Sequence, residues 1–300
     1  MKYKHVFFAA MMLLAASCSN EESLDSSVNL SSEQQAQALV TVSVRGFAVE
    51  QGEFPTTRST TVGSYNDVKF LTLAFYKVSD GTEVFKQTQN RDDNTTFTTF
   101  GEFSTTLTIG DYTMVVVANS GSTVPTLTSA TSATFGENAV GDTFVNTQTV
   151  NITSTAAVNL DATLNRIVSC LAVNSSDGRS EEAKKLRITT TIGGRSFSPT
   201  TGFATVNSGI TATITHTEAV GAVTKSASLL FLATDEQATD VTIETLDADD
   251  NVLYTKTVTD VPLKRNRWTI LTGPLFTNAS VSAGSFQVNT DWLTSENVNF

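Results

Sequence analysis

The feature that most constrains this chain is a two-residue rhythm of apolar and polar side chains, repeated in short runs along most of its length. Val40-Thr41-Val42-Ser43-Val44 is the first such run. Successive side chains of an extended strand point to opposite faces, so the rhythm buries one face and solvates the other. Further strand-like runs cover residues 68–76, 103–109, 112–118, 166–173, 186–192, 210–216, 229–234, 241–246, 252–258, 268–272 and 286–288. They are rich in Val, Ile, Thr and Phe, and turn pairs such as Asp80-Gly81, Asp177-Gly178 and Gly193-Gly194 stand between them. Beyond the first residues, a 3.6-residue period is confined to 180–186. The pattern predicts an all-β chain of antiparallel β-sandwich type. Ser and Thr fill the outward positions, as a solvated sheet face requires, so their abundance signals no chemistry.

The first residues follow a different logic. Lys2 and Lys4 precede an apolar run from Val6 to Ala16 and the pair Ser17-Cys18, the layout of a secretory signal. The run falls short of the roughly 20 residues that cross a bilayer as a helix. A cysteine directly after Ala15, Ala16 and Ser17 fits cleavage by a lipoprotein signal peptidase, although Ala15 stands where Leu is more usual. We therefore expect a signal peptide over 1–17 and a palmitate-type lipid anchor on Cys18. Residues 18–38, opening Cys18-Ser19-Asn20-Glu21-Glu22, read as a flexible acidic tether. The 283 residues after the signal exceed what one core usually needs, so two domains are expected.

Composition excludes several function classes. The formal charge of −11 becomes −13 once Lys2 and Lys4 are removed, leaving 17 basic against 30 acidic residues, which argues against nucleic acid or an anionic membrane surface as partner. Two cysteines give no disulfide framework. Cys170, inside the apolar run 167–173, reads as a small buried side chain. His5 leaves with the signal, so His216 stands alone and reads as a surface residue at a strand end; one imidazole is a poor basis for a zinc site or a catalytic triad. The acidic segments Arg91–Asn94 and Asp247–Asn251 lack the spacing of a calcium loop and read as turns. No phosphate-cradling glycine loop occurs, and nothing selects a glycosidase pair among the carboxylates. No cofactor, metal or catalytic residue is expected.

Several segments in order carry a resemblance. The Val40–Val44 strand is followed by Phe54-Pro55-Thr56-Thr57-Arg58-Ser59 and by the strand 68–76. Leu107-Thr108-Ile109-Gly110-Asp111-Tyr112 then runs into Val115-Val116-Val117. Leu164-Asn165-Arg166-Ile167-Val168 comes next, and Val261-Pro262-Leu263-Lys264-Arg265-Asn266-Arg267-Trp268 precedes Gly273 and Trp292. Together they resemble the fimbrillin family of Bacteroidales type V pili, including its FimB-like anchor members. The acidic run after Cys18 also resembles the surface-export signal of Bacteroidetes lipoproteins.

The resemblance implies two tandem transthyretin-like sandwiches, 39–163 and 164–300, with a first strand, 39–49, that is removable. It implies cleavage by an arginine-specific protease at Arg58, in a loop, with Arg45 as a competing basic site within the strand. It further implies partner subunits that donate a strand into the groove left by Val40, Val42 and Val44, and a place at the outer membrane or in a fimbrium that supports adhesion. Only Leu293 to Phe300 follow Trp292, which favours an anchor or terminal subunit over a stem. The alternative is a surface glycan-binding lipoprotein; the two tryptophans, Trp268 and Trp292, fall in segments that read as core or domain edge.

Overall fold

The run Met114-Val115-Val116-Val117-Ala118 breaks the two-residue rhythm, and the fold gives the reason: this strand is covered on both faces. The computed structural model describes residues 35–50, 57–60, 67–93, 95, 97–277 and 287–289, and among them strands are joined by turns without α-helix. The first half builds one eight-stranded sheet. Its order is β2 (Thr57–Thr60), β1 (Gln37–Glu50), β10 (Val158–Arg166), β9 (Thr143–Ile152), β6 (Gly110–Asn119), β3 (Phe70–Lys77) and β4 (Glu83–Asn90), with β5 (Glu102–Thr108) paired on β1.

β10 and β9 share only the pairs Asn165 with Val145 and Arg166 with Phe144. The sheet turns a corner there and closes into two layers, β4-β3-β6-β9 over β10-β1-β5. Leu71, Leu73, Met114 and Val116 meet Val40, Val42, Phe103 and Leu164 between these layers. The alternate residues Ala74, Tyr76, Val115 and Val117 face a different cluster, formed with Leu127, Phe135, Ile167 and Phe197. Strands buried on both faces read as near-continuous apolar runs, which accounts for both Leu71–Tyr76 and Met114–Ala118.

The second half is a four-on-four sandwich. The order β15 (Lys225–Leu230), β11 (Ser169–Ser175), β18 (Trp268–Gly273), β19 (Gln287–Asn289) faces β14 (Thr211–Thr215), β12 (Lys185–Thr190), β16 (Glu236–Leu246), β17 (Val252–Lys264). Leu171, Val173, Ile188, Leu230, Ile243 and Leu271 fill the space between. The Asp177 carboxylate accepts the backbone N–H groups of Leu275 (2.8 Å) and Phe276 (2.9 Å), tying the chain after β18 to the β11–β12 loop.

The halves are stitched together. β7 (Thr126–Ser129) and β8 (Ser132–Thr134) from the first half form a three-stranded sheet with β13 (Ser196–Phe197) from the second. Beside it, Phe231 stacks on Phe135 at 6.0 Å between centroids and packs against Phe197 at 4.5 Å. The buried Arg166 guanidinium donates to both oxygens of Asp142; the ion pair braces the segment that links β10 to β11.

Several sequence expectations change. The stretch 125–146, where no strand-like run is marked, contains β7, β8 and the start of β9, because Leu127, Ala133 and Phe135 give it an inward face. β4, β9 and β10 go unmarked in the sequence reading, and the strand expected at 229–234 is β15, ending at Leu230. Segment 180–186 forms no helix. Asp247–Asn251 is the hairpin turn between β16 and β17, with Asp247 Oδ1 accepting from the N–H groups of Asp249 and Asn251. Cys170 is buried, and burial pushes its thiol far above the usual range.

The aromatic stitch has a measurable consequence. Phe231 is 0% exposed, and truncating a buried Phe costs about 3–5 kcal/mol. Phe231→Ala is expected to lower stability by that amount in urea unfolding, whereas Val252→Ala, at an exposed position, is expected to stay within about 0.5 kcal/mol.

Candidate functional site

β1 has an unusual position for the first strand of a chain: it is held on both edges. Residues Gln37–Ser43 pair antiparallel with β5, and Val40–Ala48 pair parallel with β10. Val40 lies opposite Thr105 on one side and Val158 on the other, and Val42 opposite Phe103 and Leu160. Between Val44 and Gly46 the register shifts by one residue, leaving Arg45 as a bulge. A bulge resets which side chains point inward. Here it brings Phe47 to the core face after Ala38, Val40, Val42 and Val44; these five are at most 5% exposed. Phe47 then packs edge-on against Phe144 at 4.9 Å.

The outward face of β1 is polar and lightly held. Ser43 Oγ donates to Glu102 Oε2 (2.6 Å), and the exposed Arg45 donates from Nε to Asp161 Oδ1 (2.8 Å). The exposed Arg45–Asp161 pair contributes at most about 1 kcal/mol. The hold on β1 therefore resides in its two hydrogen-bond ladders and its inward side chains.

After β1 the chain returns as β2, which pairs antiparallel with the end of β1: Phe47 opposite Thr60, Ala48 opposite Ser59, and Val49 opposite Arg58. Arg58 thus lies in a four-residue strand rather than in the loop expected from sequence. Thr-Arg-Ser-Thr takes the extended form because a ladder partner is at hand. Among the described residues β2 has β1 as its one sheet neighbour and ends the sheet order. Cys18 and Trp292 lie outside the described residues.

The sequence identified β1 and, as the run 103–109, its antiparallel flank β5, but not its parallel flank β10. β10, Val-Asn-Leu-Asp-Ala-Thr-Leu-Asn, alternates as cleanly as β1 does, with Ala162 and Leu164 inward; its periodicity was a sufficient signal. His216, expected at the surface, has a side chain only 1% exposed, packed against Phe276 at 5.7 Å. Ile210 and Ile214 share its face and pack on the core, so alternation carries the imidazole inward. Burial lowers its pKa, partly offset by nearby Glu218. Trp268 is half-buried on the face of β18 that turns away from the C-terminal core.

Residues 32–296 match a family described as a family of unknown function, DUF6562, and the chain belongs to it. A comparison with curated protein sequences finds no match. Among solved structures, the chain is similar to a candidate adhesin from Bacteroides ovatus ATCC 8483, at 12% identity and a TM-score of 0.50, covering 76% of this chain and 83% of that one. A second candidate adhesin from Bacteroides ovatus has 13% identity, a TM-score of 0.48, and coverage of 88% and 97%. The fimbrial anchor protein Mfa2 from Porphyromonas gingivalis has 10% identity, a TM-score of 0.49, and coverage of 84% and 95%. The first of these shows a shared all-β fold.

The two faces of β1 are expected to respond differently to charge. Val42→Asp puts a carboxylate without a partner among apolar side chains and is expected to abolish cooperative folding in circular-dichroism melts. Leu39→Asp, at a position 49% exposed, is expected to leave the melting transition in place.

Proposed function

We propose that the chain is a non-enzymatic fimbrial subunit or anchor of the type V pilus kind, which assembles by exchange of β1 and supports surface adhesion. In this reading export and delivery to the outer membrane use lipid on Cys18, and an arginine-specific protease cuts after Arg58. The observation that carries it is the position of β1: a first strand inserted between β5 and β10, with all its inward side chains in the core. A cut after Arg58 would sever the one covalent link between β1 and the body. Loss of β1 would then leave a groove walled by two strand edges, each presenting unpaired backbone groups to another chain.

The energetics favour a long-lived joint. Val40, Val42, Val44 and Phe47 are four large side chains at about 1.5–3 kcal/mol each, or about 6–12 kcal/mol before ordering costs. Regained backbone bonds add roughly 1 kcal/mol each. An incoming strand of the same alternation would recover these terms by β-augmentation. The pairing of Arg58 with Val49 bears on timing, because a protease needs the backbone pulled out of its ladder. β2 is four residues long and at a sheet edge, where local opening costs least. Arg45, by contrast, is a bulge in the middle of β1, flanked on both sides by residues paired with β10.

The shared fold with a candidate adhesin accords with this reading. The test is the state of the protein on its native surface. Wild type is expected to run as a ladder or to co-purify with filaments, with a mature N-terminus at Ser59 for a polymerising subunit or at lipidated Cys18 for an anchor. Arg58→Ala is expected to abolish the Ser59 terminus and the ladder. A monomer that associates with no filament, with maturation unchanged by Arg58→Ala, would contradict the proposal.

A further inference from the structure

A cleft of about 1190 Å³ lies where the β14 edge of one sheet and the β15 edge of the other meet the loops 120–122 and 136–142. It is remote in sequence from β1, and strand exchange makes no use of it. Leu171, Val173 and Leu271 point into the C-terminal core. The alternate residues Ala172, Trp268 and Ile270 therefore face the other way, and they line this cleft. The rest of the lining is rich in hydroxyl and amide groups, with eleven serines and threonines and two asparagines. Its charges balance: Lys69, Arg195 and Lys225 stand against Glu137, Asp142 and Glu218.

The strand edges add backbone groups. Thr190 N–H donates to Ile210 O and His216 N–H to Lys184 O, so the even residues of β14 face β12 while Thr211, Thr213 and Thr215 turn outward. On β15, Ser175 N–H donates to Thr224 O and Phe231 N–H to Gly194 O, so Lys225, Ala227 and Leu229 turn outward.

Two ligand classes could use such edges, and the capping side chains decide between them. Thr213 N–H donates to Asn138 Oδ1 (3.1 Å) and Lys225 N–H to Glu218 Oε1 (3.2 Å). Each cap breaks the ladder that an added peptide strand would need. Isolated donors and acceptors beside an aromatic ring suit a sugar instead, whose hydroxyls bond singly and whose C–H face lies on the indole. Small-molecule pockets measure about 300–1,000 Å³, so this volume takes several rings, and the balanced charge favours an uncharged ligand.

We propose that this cleft binds a neutral oligosaccharide, with Trp268 as the stacking platform and the threonine-bearing β14 edge and the outward backbone groups of β15 as its hydrogen-bonding walls. The site is independent of the exchange of β1 and serves adhesion whether or not that exchange occurs.

The test uses the full chain on an array of neutral oligosaccharides of glucan, mannan, xylan and mucin-core type, beside sialylated and sulfated counterparts. Calorimetric titration with the best-bound neutral member follows. Neutral members are expected to bind, Trp268→Ala to weaken them at least tenfold, and Trp268→Phe to retain part of the affinity. Asn138→Ala, on the wall of the cleft, gives a second reading if the tryptophan variants melt early. Binding confined to acidic glycans, no neutral binding at millimolar concentration, or an affinity indifferent to both positions overturns the proposal. So does a Trp268 fluorescence response to a synthetic extended peptide of residues 37–50 with none to the sugars.

Discussion

The structure depends on the double pairing of β1. A strand at a sheet edge satisfies half of its backbone groups; β1 satisfies both sets over Val40 to Ser43, antiparallel to β5 on one side and parallel to β10 on the other. Its inward side chains complete the core beneath β3 and β6. Because the chain enters the fold at the centre of a layer rather than at its rim, the first half of the molecule cannot close until this strand is seated. The bulge at Arg45 extends the effect by turning Phe47 onto Phe144 near the corner where β9 and β10 meet.

The same arrangement recurs in the second half. β11 pairs antiparallel with β15 and parallel with β18, just as β1 pairs with β5 and β10. In each half an opening strand lies between a parallel and an antiparallel partner. The difference lies in the linkage. β11 follows β10 directly, braced by the Arg166–Asp142 pair and by Ile167 and Val168 in the cluster between the halves. β1 is joined to the body through β2 and the segment after it. Two topologically equivalent strands thus differ in how easily covalent release could free them, which gives the proposed exchange a physical basis in one half and none in the other. The stitch of β7, β8 and β13 and the Phe135–Phe231 stack would let the halves bear load together.

What the sequence disclosed follows from how each element is buried. Strands with one solvated face, such as β1, β12 and β16, announce themselves by alternation. β6 was legible because two buried faces leave an apolar run. β4 was not: it is a sheet edge whose inward positions include Gln89, buried because its side chain serves the backbone of Gly101 and Glu102. β7 and β8 are too short for a period, and only the aromatic cluster they cover explains them. β10 alternates plainly as Val158, Leu160, Ala162 and Leu164, so its residues carry the full signal of a half-buried strand. For Arg58 the resemblance implied a loop, whereas pairing with β1, a tertiary effect, made a strand. His216, expected at the surface, faces the core instead, because the strand partner sets which face a residue shows, while Trp268, read as core or domain edge, is half-buried beside a cleft.

The central claim is that β1 is a replaceable part, and uptake of a labelled strand tests it most directly. The full chain, either intact or cut by an arginine-specific protease, is mixed with a fluorescent peptide of residues 37–50, and retention is read by gel filtration. The account predicts that the cut chain takes up the peptide and keeps it through the column, that the intact chain does not, and that a peptide with Val40, Val42 and Val44 changed to Ser is not retained. Equal behaviour of cut and intact chains, or retention of the serine peptide, would contradict it.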